Sequence, residues 1–161
     1  MIIRAIGKQD IKNCVYVITR SFTTVAEQFG ITKSNAPRYV AFSISTDKLL
    51  KELESGKPMF ACFDSDNTIV GYYSLALTND YECELNNLCV LSEYRHLGIG
   101  HQLLLHAISQ AQQLNCHRIK LSIVEENKRL KHWYENFGFI ETSTYKFDFF
   151  PFTCGYMEKY I

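Results

Sequence analysis

Two glycines and an arginine stand where an apolar strand changes into a helix. The apolar run Leu88–Leu91 leads into Arg95-His96-Leu97-Gly98-Ile99-Gly100. The first turn of a helix leaves up to about four main-chain N–H groups without partners, and the helix dipole adds about half a positive charge. Glycines let an anion approach the main chain closely, and Arg95 adds a forked donor. These residue types and spacings predict a cradle for the pyrophosphate of a nucleotide-containing cofactor.

Other glycine-rich phosphate loops do not fit this segment. A P-loop requires Lys and Ser or Thr after its last glycine, whereas His101 and Gln102 follow Gly100. A dinucleotide fingerprint requires a third glycine where Leu103 stands, and a parallel βαβ unit before the loop. One alternative stays open, namely a helix start whose glycine serves only close packing.

The composition is that of an ordinary globular protein. The 161 residues include 17 Lys and Arg and 17 Asp and Glu, and this length suits one domain over residues 1–161. Without net charge there is no electrostatic case for nucleic acid or an anionic membrane as a partner. The N-terminus is unlike a signal peptide and no apolar run approaches about 20 residues, so a cytoplasmic location is expected. The six cysteines and five histidines show no metal-ligand spacing, and no metal is expected.

The hydrophobic pattern predicts alternating strands and helices. Asp10, Asp47 and Asn127 each precede an amphipathic stripe, Asp47 and Asn127 are expected to cap their helices, and a further helix is expected over 96–114. Strands are expected at 2–6, 59–63, 68–77, 83–91, 119–123, 139–149 and 152–160, whereas 23–46 is expected to be irregular. This order predicts an α/β (α+β) fold with a mixed sheet covered on both faces.

The third strand of the central meander changes phase. Its apolar residues fall at 83 and 85, and then at 88 and 90. Because strand side chains alternate strictly, one extra residue near Asn86-Asn87 would return both halves to one face. The pattern therefore predicts a β-bulge, with a polar surface pair and no bulge as the alternative.

The whole pattern resembles the GNAT superfamily of acyl-CoA-dependent N-acetyltransferases. Arg95-x-x-Gly98-x-Gly100 follows a Leu-x-Val strand, and Asn127 opens a helix that contains Tyr134 and ends before Gly138-Phe139. The likeness covers nearly the whole chain in element order and is sharpest over 84–139. It implies a mostly antiparallel sheet of about seven strands with about four helices, the fourth strand bulged, and acetyl-CoA as cofactor without a metal. Ser92-Glu93, where relatives often have proline, is a small departure.

The resemblance also implies which residues bind the cofactor. The backbone of Leu88, Cys89 and Val90 would run beside pantetheine like an added strand. Asn127 and Lys131 would contact CoA, and the basic run Lys128-Arg129-Leu130-Lys131-His132 would lie near the 3′-phosphate, unless this run is only the solvated face of a helix. The pyrophosphate would be held by Arg95, His96, Leu97, Gly98, Ile99, Gly100 and His101.

Two residues match catalytic positions of the superfamily. Tyr134 corresponds to the tyrosine that protonates the departing CoA thiolate in many relatives; alternatively it is a core aromatic. Glu84 corresponds to a glutamate that deprotonates the acceptor amine in some relatives, directly or through one water; alternatively it is a surface carboxylate. Acyl transfer to an amine requires both proton transfers, because the amine must lose a proton and the departing thiolate must gain one.

The acceptor is expected to be a primary amine of a small molecule or peptide that attacks acetyl-CoA directly in a ternary complex. Besides Glu84, its binding residues are expected in the first two helices, their loop and the last hairpin, at Phe29, Tyr39, Tyr145 and Phe152, unless these only fill the core. A non-catalytic CoA-binding module and a nucleotide-binding adaptor of another type are the competing functions. A homodimer is a further expectation, since many relatives dimerise.

Overall fold

One seven-stranded sheet with helices on both faces organises the chain. The structure is a computed structural model that describes residues 1–161. The strand order is β1-β2-β3-β4-β5-β7-β6, and every neighbouring pair is antiparallel except β4–β5. This confirms the predicted mixed, mostly antiparallel sheet. The elements in chain order are β1 Ile2–Ala5, α1 Ile11–Gln28, α2 Val40–Ser43, α3 Thr46–Glu54, β2 Met59–Phe63, β3 Ile69–Asn79, β4 Glu82–Val90, α4 Ile99–Gln113, β5 Arg118–Val124, α5 Lys128–Asn136, β6 Ile140–Tyr145 and β7 Cys154–Tyr160.

Strand β4 carries the predicted bulge. Tyr72 of β3 pairs with Cys89, and Ser74 pairs with Asn86, so that two steps along β3 match three along β4. Asn87 takes up the extra residue with a φ of 54°, a left-handed conformation that asparagine tolerates better than most residues. The bulge lets Leu88 and Val90 pack against the same core as Cys83 and Leu85.

Strands β4 and β5 pair over three residues and then separate. The parallel ladder joins Glu82, Cys83 and Glu84 to residues 118–120, and it includes no later residue of either strand. Beyond Glu84, the edge of β4 that would face β5 therefore carries main-chain groups without a ladder partner. Such an edge can accept an extended molecule as an added strand.

The sheet separates two cores. On one face, Leu103, Leu104, Ala107 and Ala111 of α4 pack against β3, β4 and β5 in a cluster of 19 buried residues. On the other face, the apolar side of α1 packs on β2 and β3 in a cluster of 13. A third cluster, which we call the aromatic cluster, joins α1 and the α1–α2 segment to the ends of β5 and β7; its buried members are Ala26, Ile31, Ala36, Tyr39, Ala41, Val124, Phe152 and Cys154.

Several predicted boundaries are wrong. The range 23–46 is not irregular, because α1 continues to Gln28 and α2 lies within it. Helix α3 is capped by Ser45, whose hydroxyl accepts from the Lys48 N–H at 3.1 Å, and not by Asp47. Helix α4 begins at Ile99 and not at 96, because Gly98 has a φ of 79° and lies outside the helix. Strands β6 and β7 are shorter than predicted, and 146–153 forms the loop between them.

Candidate active site

A cavity of about 720 Å³ lies between α1, β4, the start of α4 and α5. It reaches from the glycine loop along the free edge of β4 to the middle of α1. Its walls come from four separate elements, so the tertiary fold is needed to form it. The lining residues are Ser21, Phe22, Thr24, Val25, Gln28, Leu88, Cys89, Val90, Arg95, His96, Gly98, Gly100, His101, Asn127, Arg129, Leu130, His132, Trp133, Tyr134 and Asn136.

The N-terminus of α4 presents a row of unused donors to this cavity. The first main-chain N–H of the helix with a protein acceptor is that of Gln102, which donates to the Gly98 carbonyl at 3.0 Å. The main-chain N–H groups of residues 96–101 donate to no protein acceptor, and Gly98 provides no side-chain cap. These donors and the helix dipole make the site suited to a phosphate group.

The two glycines of the loop have different reasons for being glycine. Gly98 has a φ of 79°, which residues with a side chain rarely adopt. Gly100 is helical, and a Cβ there would lie 3.7 Å from Trp133 Cζ2 and 3.9 Å from Val90 Cγ2, at ordinary contact distance. Gly98 therefore permits the turn, whereas Gly100 keeps the space between β4 and α5 open.

Arg95 lines the cavity but spends three of its donors on the protein. Its Nε donates to the Val90 carbonyl at 3.0 Å, and its Nη2 donates to the Ser21 carbonyl at 3.1 Å and to Thr24 Oγ1 at 2.9 Å. Only the two N–H groups of Nη1 make no hydrogen bond with the chain. In the Arg95 side chain, only Nη1 is therefore available to donate hydrogen bonds to a pyrophosphate.

The charge of the cavity wall favours an anion. Arg95 and Arg129 line it, and no carboxylate does. Since the walls are partly apolar, an anion would be screened less there than at an open surface. The structure also brings no three His, Cys, Asp or Glu side chains together in a way that could hold a metal ion.

Lys131 does not reach the cavity, contrary to the prediction. Its Nζ lies 2.9 Å from Glu125 Oε1 and also pairs with Glu141, which ties α5 to the end of β5 and to β6. These two carboxylates raise the pKa of Lys131. Arg129, in the same basic run, does line the cavity.

Leu97 and Ile99, two further residues predicted to bind the cofactor, could do so only through their main-chain atoms. The side chain of Leu97 points to solvent with 64% of its surface exposed, and that of Ile99 is buried in the α4-side core. The sequence prediction assigned no role at the site to Ser21, Thr24, Val25 and Gln28 of α1, or to Trp133 of α5. The spacing of Arg129, Trp133 and Asn136 by four and three residues marks one helical face and could have revealed it.

Tyr134 is the one tyrosine in the cavity wall. It is 5% exposed, and its ring packs edge-on against Trp133 and Phe139 at centroid distances of 4.9 and 5.4 Å. Burial, with a smaller contribution from Cys89, raises the pKa of the Tyr134 phenol. The phenol therefore stays protonated at neutral pH and can serve as a proton donor. Burial also raises the pKa of Cys89 to about 12, so its thiol is not an activated nucleophile.

Glu84 lies at the point where β4 and β5 separate. It is the last β4 residue in the parallel ladder, opposite Lys120, and it lies on the sheet face away from Cys83 and Leu85, as predicted. Its neighbour Glu82 pairs with Arg118 and with Lys120, the latter at 2.6 Å, whereas Glu84 forms no salt bridge. Glu84 is not in the cavity wall.

The four predicted aromatic contacts of the acceptor divide into two groups. Tyr39 and Phe152 are buried in the aromatic cluster with their ring centroids 5.8 Å apart, and Phe29 packs against this cluster. Tyr145 lies outside the cluster at the end of β6, 58% exposed, with its ring 4.6 Å from that of Phe147. None of the four lines the cavity; Phe22 and Val25 do so, and they also pack against the aromatic cluster.

The glycine cradle, the bulged strand and the separating strands can be compared with known proteins. The model of the acetyltransferase (GNAT) family matches residues 27–139. The chain belongs to the GNAT family. It is therefore an acetyltransferase that uses acetyl-CoA, and the predicted resemblance is confirmed.

Solved structures of GNAT N-acetyltransferases share the fold across the whole chain. The PaiA N-acetyltransferase from Thermoplasma acidophilum, in complex with coenzyme A, superposes with a TM-score of 0.85 at 22% identity, covering 99% of this chain and 98% of that one. The ribosomal-protein-S18-alanine N-acetyltransferase from Escherichia coli gives 0.75 at 17% identity, with 98% and 91% covered. A spermidine N-acetyltransferase SpeG chimera from Vibrio cholerae and hSSAT gives 0.75 at 19% identity, with 99% and 93% covered.

None of the helices combines the length and the apolar composition that a membrane crossing requires.

Proposed function

We propose that this GNAT acetyltransferase transfers the acetyl group of acetyl-CoA to a primary amine of a small molecule or peptide, by direct attack in a ternary complex. The observation that carries this proposal is the position of Glu84, a carboxylate without an ion-pair partner at the vertex where β4 and β5 separate. The names of structural relatives point the same way, since they include spermidine and ribosomal-protein alanine acetyltransferases.

The cofactor would lie along the cavity. The N–H groups of residues 96–101 and Nη1 of Arg95 would bind its diphosphate, and the free edge of β4 at Leu88–Val90 would bind pantetheine. Asn127 lines the cavity while its side chain also caps α5 by accepting from the Leu130 N–H at 3.2 Å. Bound acetyl-CoA supplies the activated acetyl group, and the residues of the chain orient it and move protons.

Glu84 would act on the amine. A lysine-like amine has a pKa of about 10.4, so only about one molecule in a thousand is a nucleophile at pH 7. An unpaired carboxylate at the strand vertex can attract the ammonium group and accept its proton, directly or through one water. The amine would then attack the thioester carbonyl while strand N–H groups near Val90 stabilise the oxyanion.

Tyr134 would complete the reaction. Its phenol is protonated at neutral pH because burial raises its pKa, and it lies in the wall that the cofactor would occupy. It would give its proton to the departing CoA thiolate, whose pKa is about 8.5 by comparison with a free thiol. A cytoplasmic location and a homodimer stay predictions from the sequence.

The test is CoA thiol release from acetyl-CoA with a panel of polyamines, amino acids, aminoglycosides and peptides with free N-termini. With the best acceptor, Glu84→Gln should lower turnover about 100-fold or more without weakening CoA binding. Glu82→Gln is the matched control, because it removes a carboxylate two residues away that pairs with Arg118 and Lys120. It should lower stability and keep turnover. Equal turnover in wild type and Glu84→Gln would contradict the proposed base.

A further inference from the structure

Arg95 connects two parts of the fold that are far apart in sequence. Through Nε it holds the Val90 carbonyl of β4, and through Nη2 it holds α1, 71 and 74 residues away, at Thr24 and Ser21. Because the guanidinium is planar and rigid, these three bonds fix its orientation. Arg95 therefore links strand β4 to helix α1 and restrains their relative position.

The contact on Thr24 is oriented by a second hydrogen bond. The Thr24 hydroxyl donates its hydrogen to the Ser21 carbonyl at 2.7 Å. Its lone pairs are then left to accept from Arg95 Nη2 at 2.9 Å. The hydroxyl thus joins the helix carbonyl and the guanidinium in one chain, and a residue without a hydroxyl could not replace it.

The same part of α1 forms the boundary between two regions. Phe22 and Val25 line the cavity and also pack against the aromatic cluster, which holds Tyr39 and Phe152 on the predicted acceptor side. A change in the position or rigidity of this part of α1 would therefore be felt in both regions.

We propose that Arg95, acting through Thr24, is a positioning residue that couples occupation of the diphosphate cradle to the part of α1 that borders the acceptor side. A bound diphosphate would engage the two free N–H groups of Nη1, and the same rigid guanidinium would hold Thr24 and Ser21 more firmly. CoA would thereby order the wall against which the acceptor binds. This inference rests on the proposed function.

The test is amide hydrogen exchange of the segment 19–29, with and without CoA, measured by mass spectrometry at about 100 times the Kd of each variant. In the wild type, CoA should slow exchange in this segment by about fivefold or more. Thr24→Val should remove the part of that slowing that Arg95 transmits and leave only what direct contact of CoA with α1 causes. Thr24→Ser, which keeps the hydroxyl, should retain all of the slowing. Thr23→Val is the matched control, since the Thr23 hydroxyl bonds only within the helix, to the Thr19 carbonyl at 2.7 Å.

The measured quantity is the change that CoA causes and not the basal exchange rate, which any structural defect would move. Full CoA-induced slowing in Thr24→Val, or an equal loss in Thr23→Val, would overturn the inference. Thiol release from acetyl-CoA by the same wild-type protein would show that the proposed function nevertheless stands. If Thr24→Val does not fold, Arg95→Lys is measured in its place and judged by the same criterion. If the wild type does not bind CoA, the proposed function and this inference fail together.

Discussion

Gly98→Ala separates the backbone role of the glycine loop from its role in binding. Gly98 has a φ of 79°, and no heavy atom lies within 4 Å of the place that a Cβ would take there. The substitution therefore creates no clash, but it forces alanine into the left-handed region at a cost of about 1–2 kcal/mol. For a chain of this length, each kcal/mol corresponds to roughly 2–4 °C in Tm.

The effect on binding comes in addition to this strain. The new methyl group would stand at the cavity wall beside the free N–H groups of residues 96–101. If it displaces the diphosphate from one charge-assisted hydrogen bond, the loss is about 1.5–3 kcal/mol. That corresponds to an increase of about 10- to 150-fold in the Kd for CoA.

Gly56→Ala is the matched control for the strain. Gly56 has a φ of 83°, a methyl group there would likewise meet no heavy atom within 4 Å, and the residue does not line the cavity. Urea unfolding should show similar stability losses in both variants, and calorimetry should show weaker CoA binding only in Gly98→Ala. Unchanged CoA affinity in Gly98→Ala, with the expected loss of stability, would refute the reasoning.

Three other outcomes are expected. Tyr134→Phe should lower turnover at all pH values. Because burial raises the pKa of Tyr134 above the usual value of about 10, wild-type turnover should not fall between about pH 8 and 10. A decrease in turnover over that range would contradict Tyr134 as the acid. Lys131→Met should lower Tm, because it leaves Glu141 unpaired and Glu125 with Lys128 alone, without weakening CoA binding. Weaker CoA binding would return Lys131 to the cofactor site. For Asp10, burial acts to raise the pKa, but hydrogen bonds from Arg4 and the Gly7 N–H outweigh it and lower the pKa. Its ionised form therefore stabilises the fold above the unfolded pKa of about 3.9, and this contribution is lost as pH falls through the folded pKa. Urea unfolding of Asp10→Asn should show lower stability than wild type at pH 7, and the difference should shrink as the pH falls below about 3.9; a constant difference would contradict this.

Local patterns in the sequence predicted the parts of the fold that depend on neighbouring residues. The bulge in β4 follows from apolar residues at 83, 85, 88 and 90, because strand alternation allows only one way to place all four on one face. The glycine cradle follows from strand, glycine and helix signals within a short segment. The separation of β4 from β5 after Glu84 has no such local signal, since it depends on how two distant segments pair.

The last six residues of α1, 23–28, were not predicted as helix, and there is a physical reason. Ser21, Thr24 and Gln28 lie on the face that lines a cavity, so that face is polar where a core-facing helix would be apolar. The amphipathic pattern therefore fades at Phe22, although the helix continues to Gln28. A helix face that lines a polar cavity lacks the apolar repeat from which a helix is predicted, so the segment resembles a loop in sequence.

The sequence predicted the partners of charged side chains less well than any other feature of the site. The motif located Arg95 beside the cradle, but its bonds to Ser21 and Thr24 cross 74 and 71 residues of sequence. Lys131 was assigned to the cofactor from its basic surroundings, whereas Glu125 and Glu141 hold it on another side of α5. Long, flexible side chains take the nearest countercharge that the tertiary fold provides, and a linear sequence does not reveal which one that is.

The central claim is that the free N–H groups of residues 96–101 bind the diphosphate of the cofactor. The most direct measurement is backbone amide NMR of the labelled protein, titrated with CoA and, separately, with pantetheine, which lacks the diphosphate. We expect CoA to move the amide signals of this segment strongly downfield and pantetheine to leave them in place. Saturable CoA binding that leaves these signals unmoved would contradict the account.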